Sequence, residues 1–446
     1  MVSQEEIRIE GKTLVEPVRV ESGASVVGQS VVRIDGRAKV TGKPIYAGDI
    51  SLPGMLHGRV VRSHLAHALI RRIDVSSAMT IEGVSAVLTA ADVPGVNRFG
   101  LAIQDQPALA GEKVRYCGEA VALVAAETEA MAAAAATRVR VTYQELPAVL
   151  SVDDALAPDA PKVHEQGNLL QHTTLRKGDV QRGFTQAHVI VENTYHTQRI
   201  DHMALELETS VAAMDEYGVL NIWTSTQGPF RDRRQIGAVL DLQLNKIRVV
   251  NQAVGGGFGR KDDITTEIHA GLLALATGRP VRLSVSREES MLAFTHRHPM
   301  RIRCRTGALR DGTLTSLEAV VHGDTGAYAS LGPFIVKKAG IHLAGPYFIP
   351  NVKVDTYTVY TNNPISGPMR GFGVPQAAMA HESQMDLLAA ELGVSPLDMR
   401  LKNALDVGLE TATGHIIGSG VGIKPTLERI REYMQKNELS FRRDRG

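Results

Sequence analysis

From Val31 to about Leu156 the hydrophobic pattern alternates strand-like runs with helical ones. Leu56–Arg62 and residues 84–88 read as strands. Residues 120–125 (AVALVA) form an unbroken apolar run bounded by polar residues, the pattern of a buried strand. Residues 127–136 are alanine-rich and predict a helix; 138–143 alternate as a strand again. Pro158 and Pro161, with polar residues between them, mark a linker. Beyond it, 218–226 (GVLNIWTST) predicts a strand, 230–240 an amphipathic helix, and 246–254 a strand running into a glycine cluster. A helix over 264–277 closes at Gly278, and a strand follows over 280–286. Residues 301–321 read as a hairpin turning at Asp311-Gly312. Residues 352–360 (VKVDTYTVY) alternate strictly. A long helix over 376–392 ends at Gly393, and a last helix over 425–435 trails into a charged tail. Residues 1–27 are polar and aperiodic and predict an extended arm. The whole reads as α+β, without internal repeats.

Composition narrows the class. At 446 residues the chain exceeds the ~250–300 that one core supports, so several domains are expected. The pattern divides it into the arm 1–27, a module over 28–160 and a larger region over 161–446. A net charge of +1 gives no electrostatic case for nucleic acid. The start, MVSQEEIRIEG, lacks the apolar core of a secretory signal. No apolar run approaches the ~18 residues of a membrane span, so a cytoplasmic protein is expected. The two cysteines, Cys117 and Cys304, cannot supply the four thiolates of an iron–sulfur cluster, which would have to sit on another chain. No GxGxxG follows a strand and no P-loop is present, which argues against nicotinamide or flavin on this chain.

Three loops carry candidate chemistry. The first is Gly255-Gly256-Gly257-Phe258-Gly259-Arg260-Lys261-Asp262, directly after a strand. A glycine run lets backbone N–H groups approach a ligand closely; the bland alternative is a tight turn with one packing aromatic. The second is Pro368-Met369-Arg370-Gly371-Phe372-Gly373-Val374-Pro375-Gln376, before the long helix. Its arginine could hold an anionic or oxygen-rich ligand with its planar fork, or simply cap carbonyls at a turn. The third is Ser225-Thr226-Gln227, a strand end that could aim an amide at a ligand oxygen.

Together the loops resemble the molybdenum-binding subunit of the xanthine dehydrogenase/aldehyde oxidase family. GGGFGRK is close to that family's GGGFGGK, and Met369 to Gln376 is close to its FRGFGxPQ. Gln227 precedes Phe258 by the family's 31 residues. The stretches DGRAKVTGKPIY, GRVVRSHLAHA and VRYCGEA are similar to its a/b hammerhead domain, so the resemblance implies that domain followed by the first half of a molybdopterin-binding domain. It further implies roles. Gln227 would reach a ligand of the metal, with Gly256, Gly257, Phe258 and Gly259 lying against the cofactor. Arg370 would bind cofactor or substrate oxygen, and Phe372 would pack on a flat substrate ring. Asp262 stands where xanthine-specific members carry a longer glutamate. Arg260 replaces a glycine, so no positive φ is expected there. Lys338, 32 residues before Arg370, stands where a second pocket arginine is expected; the alternative is a solvated surface lysine. Glu206 and Glu208 fall in an upstream motif with an expected structural role. No side chain is expected to ligate the metal.

The family's catalytic glutamate lies beyond the segment matched here, and 414–422 (GHIIGSGVG) is similar to the middle of the full subunit. The resemblance therefore implies a second polypeptide carrying the remainder, as in the nicotinate-hydroxylating branch. It also implies a molybdopterin cytosine dinucleotide cofactor with a sulfido or selenido ligand, a [2Fe-2S] subunit and an FAD subunit. The expected reaction is hydroxylation of an N-heteroaromatic substrate with water-derived oxygen, nicotinate to 6-hydroxynicotinate above others. Purine or aldehyde oxidation is the first alternative, and a non-catalytic assembly or cofactor-carrier role the second.

Overall fold

The computed structural model describes residues 29–439 together with the backbone of two short strands before them. The expected arm over 1–27 lies outside the described residues except for those strands, Arg8–Ile9 and Lys12–Thr13, which pair antiparallel. The end of the charged tail, beyond 439, also lies outside. Two compact units are present, 1–45 and 46–446. Besides the strand pair, the first contains a five-residue helix, Gly36–Val40.

The second unit opens with strands β1 (Leu56–Arg62), β2 (Ala68–Asp74), β3 (Val84–Thr89) and β4 (Ala120–Ala126). Helix α1 (Glu129–Ala136) follows, then β5 (Arg140–Glu145). Thr128 starts α1 by accepting the Met131 N–H at 3.2 Å, which trims the predicted helix by two residues. Every residue of β4 is buried, as its apolar run predicts. After the linker come β6 (Leu169–Lys177), β7 (Val189–His196), β8 (Thr209–Met214) and β9 (Leu220–Thr224). Next are α2 (Pro229–Leu240), β10 (Ile247–Asn251), α3 (Glu267–Thr277), β11 (Val281–Ser284) and α4 (Arg287–Ala293). The chain continues through β12 (Met300–Ala308), β13 (Leu314–Gly326), α5 (Gly332–Ile341) and β14 (Asn351–Tyr360). It ends with α6 (Val374–Leu392), α7 (Pro396–Asn403) and α8 (Ile423–Lys436).

Two large sheets organise most of these elements, while β2 and β5 pair antiparallel in a smaller one. A seven-stranded sheet runs β10-β9-β8-β11-β1-β4-β3. Its middle joint is parallel: Val281, Arg282 and Leu283 of β11 face Leu56, His57 and Gly58 of β1. Strands from both sides of the proline-marked linker thus share one sheet. Its core, with Leu56, Leu123, Leu220, Ile222, Ile236 and Leu273, is sealed by α2 and α3. A five-stranded sheet, β7-β12-β13-β14-β6, packs its apolar side on α5, α6 and α7 around Ile302, Val321, Val336, Val354 and Leu388. Each such buried side chain contributes roughly 1.5–3 kcal/mol. No helix among the described residues is long and apolar enough to cross a membrane.

Candidate functional site

The glycine loop leaves the end of β10 and turns back beneath Gln227. Phe258 and Gly259 both have positive φ, +55° and +109°. Gly259 is needed for a second reason: a Cβ there would stand 2.4 Å from the Pro368 carbonyl oxygen. The loop is pinned from below. Glu206 Oε2 accepts the Gly255 N–H, the Lys261 ammonium and the Ser225 hydroxyl, each at 2.7 Å. Lys261 is itself buried. Arg260, also buried, donates to Asp201 and, at 2.5 Å, to the Ser290 carbonyl. Its φ is not positive, in keeping with its side chain. Burial, then the Arg287 charge, lowers its guanidinium to about 10.

Gln227 is oriented by the same loop. Its N–H donates to the Lys261 carbonyl at 2.8 Å, and its Oε1 accepts the Gly259 N–H at 2.9 Å. A donor at Gly259 requires the amide oxygen on that side, so the amide NH2 faces outward, with no partner among the described residues. The N–H groups of Gly256, Gly257 and Phe258 also have none. Three successive N–H groups without partners, in a loop of mixed φ sign, are chemically suited to accept an anion. Gln227, Phe258 and Arg370 around them are all exposed.

The second loop is tied to the first. Arg370 N–H donates to the Phe258 carbonyl at 2.8 Å, and His202 Nε2–H to the Pro368 carbonyl at 2.7 Å. Arg297 holds the Arg370 carbonyl at 2.9 Å and reaches Gln376 Oε1 at 3.3 Å. Arg297 and His202 were not singled out as site residues, although each begins a run, RHPM and HMALELET, similar to the family's. Phe372 repeats the geometry of Phe258, with φ +52° followed by Gly373 at +94°. A bulky residue at such φ is strained. Gly373 packs on α5, where a Cβ would meet the Ile335 carbonyl at 2.4 Å. That contact places Lys338 of α5 with Nζ 5.5 Å from the Phe372 ring centroid. Neither Lys338 nor the Arg370 guanidinium has a carboxylate partner among the described residues.

Gln227, the glycine loop, Arg370, Phe372 and Lys338 are therefore brought into one neighbourhood. Asp262 closes the glycine loop, and its Oδ1 accepts from Arg231 Nη2 at 2.5 Å. Arg231 was not anticipated; its only sequence signal is a position one helical turn beyond Gln227. The expected structural role of Glu208 agrees with its burial 3.6 Å from Arg260 Nε. A large cavity, about 880 Å3, lies elsewhere, between Arg98, Asp105, Lys113 and His164, and shares no residue with these loops.

The arrangement suits an oxygen-rich, anionic group over the glycine loop and Gln227, with a flat ring on Phe372. A family model of the molybdopterin cofactor-binding domain matches residues 163–404, and one of the aldehyde oxidase and xanthine dehydrogenase a/b hammerhead domain matches residues 41–147. The nicotinate dehydrogenase large molybdopterin subunit of Eubacterium barkeri is 44% identical over 407 residues, 91% of this chain and 96% of that one. A probable xanthine dehydrogenase subunit of Bacillus subtilis is 44% identical over 374 residues, 84% of this chain and 50% of that one. The solved aldehyde oxidoreductase from Desulfovibrio gigas superposes with a TM-score of 0.88 at 33% identity, covering 91% of this chain and 46% of that one. The chain thus spans nearly all of the first relative and about half the length of the other two.

Proposed function

The chain belongs to the xanthine dehydrogenase/aldehyde oxidase family of molybdopterin-binding proteins, and from that membership we propose that it is a subunit of a molybdenum hydroxylase acting on a carboxylated N-heteroaromatic ring, with nicotinate as substrate and 6-hydroxynicotinate as product. The observation that carries the substrate class is Lys338, a cation without a carboxylate partner among the described residues whose Nζ lies 5.5 Å from the Phe372 ring centroid, with Arg370, likewise without one, two residues before that ring in the chain.

The residues fit the cofactor. Free N–H groups at Gly256, Gly257 and Phe258 and the outward amide of Gln227 are donors for its oxygens. When bound, the molybdopterin group, here the cytosine dinucleotide form with a sulfido or selenido ligand, supplies oxygen transfer and accepts the electrons. This chain's own residues bind and orient. Gln227 donates its amide to the cofactor, Phe372 stacks on the ring, and Lys338 and Arg370 hold the carboxylate. Holding the ring in register converts a bimolecular encounter into a positioned one. The catalytic glutamate, the second half of the molybdopterin-binding domain, the [2Fe-2S] cluster and FAD come from partner polypeptides. The exposure of Gln227, Phe258 and Leu205, the last 91% exposed, supports a covering partner at this loop.

The test is purification of the native complex, with molybdenum and partner chains measured together, followed by substrate profiling. Molybdenum, a second molybdopterin subunit and turnover of nicotinate are expected. Turnover of xanthine or aldehydes with nicotinate inert would overturn the substrate reading. A complex without molybdenum would overturn the enzymatic one.

A further inference from the structure

Arg231 is the third residue of α2, four residues after Gln227. It folds back so closely over Gly228 that a Cβ there would lie 2.6 Å from Nε and from Nη2. Glycine at 228 thus opens the path by which the guanidinium reaches Asp262. The pair is not buried: the Arg231 side chain is 38% exposed and that of Asp262 23%.

Its place in the fold is defined by the residues on either side. Asp262 follows Lys261, whose carbonyl accepts the Gln227 N–H at 2.8 Å. The next residue, Asp263, accepts the Ser330 hydroxyl at 2.8 and 3.0 Å. Ser330 stands two residues before α5, the helix that carries Lys338. At ~1.5 Å per helical residue, Lys338 lies on the order of 10 Å along from this junction.

The charges around that span are unequal. Lys338 and Arg370 are cations without carboxylate partners among the described residues. Glu206 is committed to Lys261, and Asp201 to Arg260. The buried Asp232 and Asp263 are pushed up, by burial first, to about 8 and about 7, which favours their neutral forms. Asp262 is the partly exposed carboxylate of the glycine loop, and Arg231 occupies it.

We propose that Arg231 is a specificity-determining residue: by pairing with Asp262 it masks the carboxylate beside the substrate face and leaves Lys338 and Arg370 to select a ring bearing a carboxylate. A bare Asp262 would repel such a substrate and would offer an acceptor to the N–H edge of a neutral heterocycle. Masked, it does neither. The inference rests on the substrate reading above and deepens it.

The experiment uses the assembled, molybdenum-loaded enzyme with Arg231→Gln, Asp262→Asn and the double variant. Binding constants, KM and kcat are compared for nicotinate and its neutral analogue nicotinamide. Arg231→Gln is expected to weaken nicotinate binding and raise its KM about tenfold, a change of about 1.4 kcal/mol, with nicotinamide binding unchanged or improved. Asp262→Asn should lower the nicotinate KM. The double variant should return it to near the wild-type value, because no carboxylate is left to mask. Equal loss for both ligands, or a double variant as weak as Arg231→Gln, would overturn masking. Should Arg231→Gln fail to assemble, Arg231→Lys keeps the charge, and its preference for nicotinate over nicotinamide should stay near wild type; loss of that preference would also overturn masking. If wild-type enzyme does not oxidise nicotinate, the substrate reading falls by itself. The same variants are then compared for inhibition by the accepted substrate's carboxylated and amidated analogues, with the same expected order.

Discussion

Lys261 and Glu206 form an ion pair of 2.7 Å in which the ammonium is fully shielded from solvent, and the carboxylate oxygen that receives it also receives the Gly255 N–H. One side chain from before β8 thereby fixes both ends of the glycine loop. Lys261→Met leaves that carboxylate buried without its counter-charge. A loss of about 3–5 kcal/mol is expected for breaking such a pair. Thermal unfolding of the complex, with molybdenum content on the same sample, checks it; unchanged values for both would show that the loop is held by other means.

Gly259→Ala tests the junction of the two loops. The substitution imposes positive φ on a residue with a Cβ and drives that Cβ to 2.4 Å from the Pro368 carbonyl. Gly278, at φ +63°, has open space around its Cβ position. Gly278→Ala should therefore cost about 1 kcal/mol from conformation alone, and Gly259→Ala clearly more. Equal melting temperatures for the two variants would remove the steric argument.

Lys338→Met separates charge from packing at the substrate face. The stem still lies on Phe372, while the cation is gone. The KM for nicotinate should rise about tenfold, and folding stability should stay within about 0.5 kcal/mol, as for other surface changes. An unchanged KM would leave Lys338 as a solvated lysine over an aromatic ring.

Glu119 gives a pH dependence of known sign. It is buried, its Oε2 accepts the Arg115 N–H at 2.6 Å, and Tyr328 donates its hydroxyl to Oε1. Burial, partly opposed by these hydrogen bonds, raises its carboxyl to about 7. Unfolded, it would titrate at ~4.3. Between these values the folded state keeps a proton that the unfolded state has released, so its contribution to stability falls as pH rises. Glu119→Gln mimics the protonated form. Relative to wild type it should gain on the order of 2 kcal/mol between pH 5 and pH 8. Denaturant melts at the two pH values measure this; a constant difference would mean that Glu119 is ionised in the fold.

Much of this was legible in the chain. The apolar run of β4, the strict alternation of β14 and the glycine-closed helices α3 and α6 are local patterns, and they fold as local patterns predict. Helix α5 was not legible. Its sequence, GPFIVKKAGI, carries two glycines and a proline, poor helix formers that are overridden by packing on the five-stranded sheet. The site divides in the same way. Loop motifs named Gln227, Phe258, Arg370 and Phe372. The pairing of Arg231 with Asp262 and of Arg260 with Asp201 depends on contacts 31 and 59 residues apart, and local sequence patterns do not encode such contacts. The glycine run suits positive φ in the first loop, yet the two phenylalanines that adopt it were not foreseen, because propensity argues against them.

The short parallel joint between β11 and β1 has a consequence for how the gene can be divided. Three residue pairs join a strand from each side of the linker into the middle of one sheet. Expressing residues 41–147 or 163–404 alone would strip β1 or β11 of its neighbour and leave a raw hydrogen-bonding edge beside a strand buried on both faces. Such edges template intermolecular pairing and aggregation. A break at the prolines therefore yields two fragments that each need the other to stay in solution.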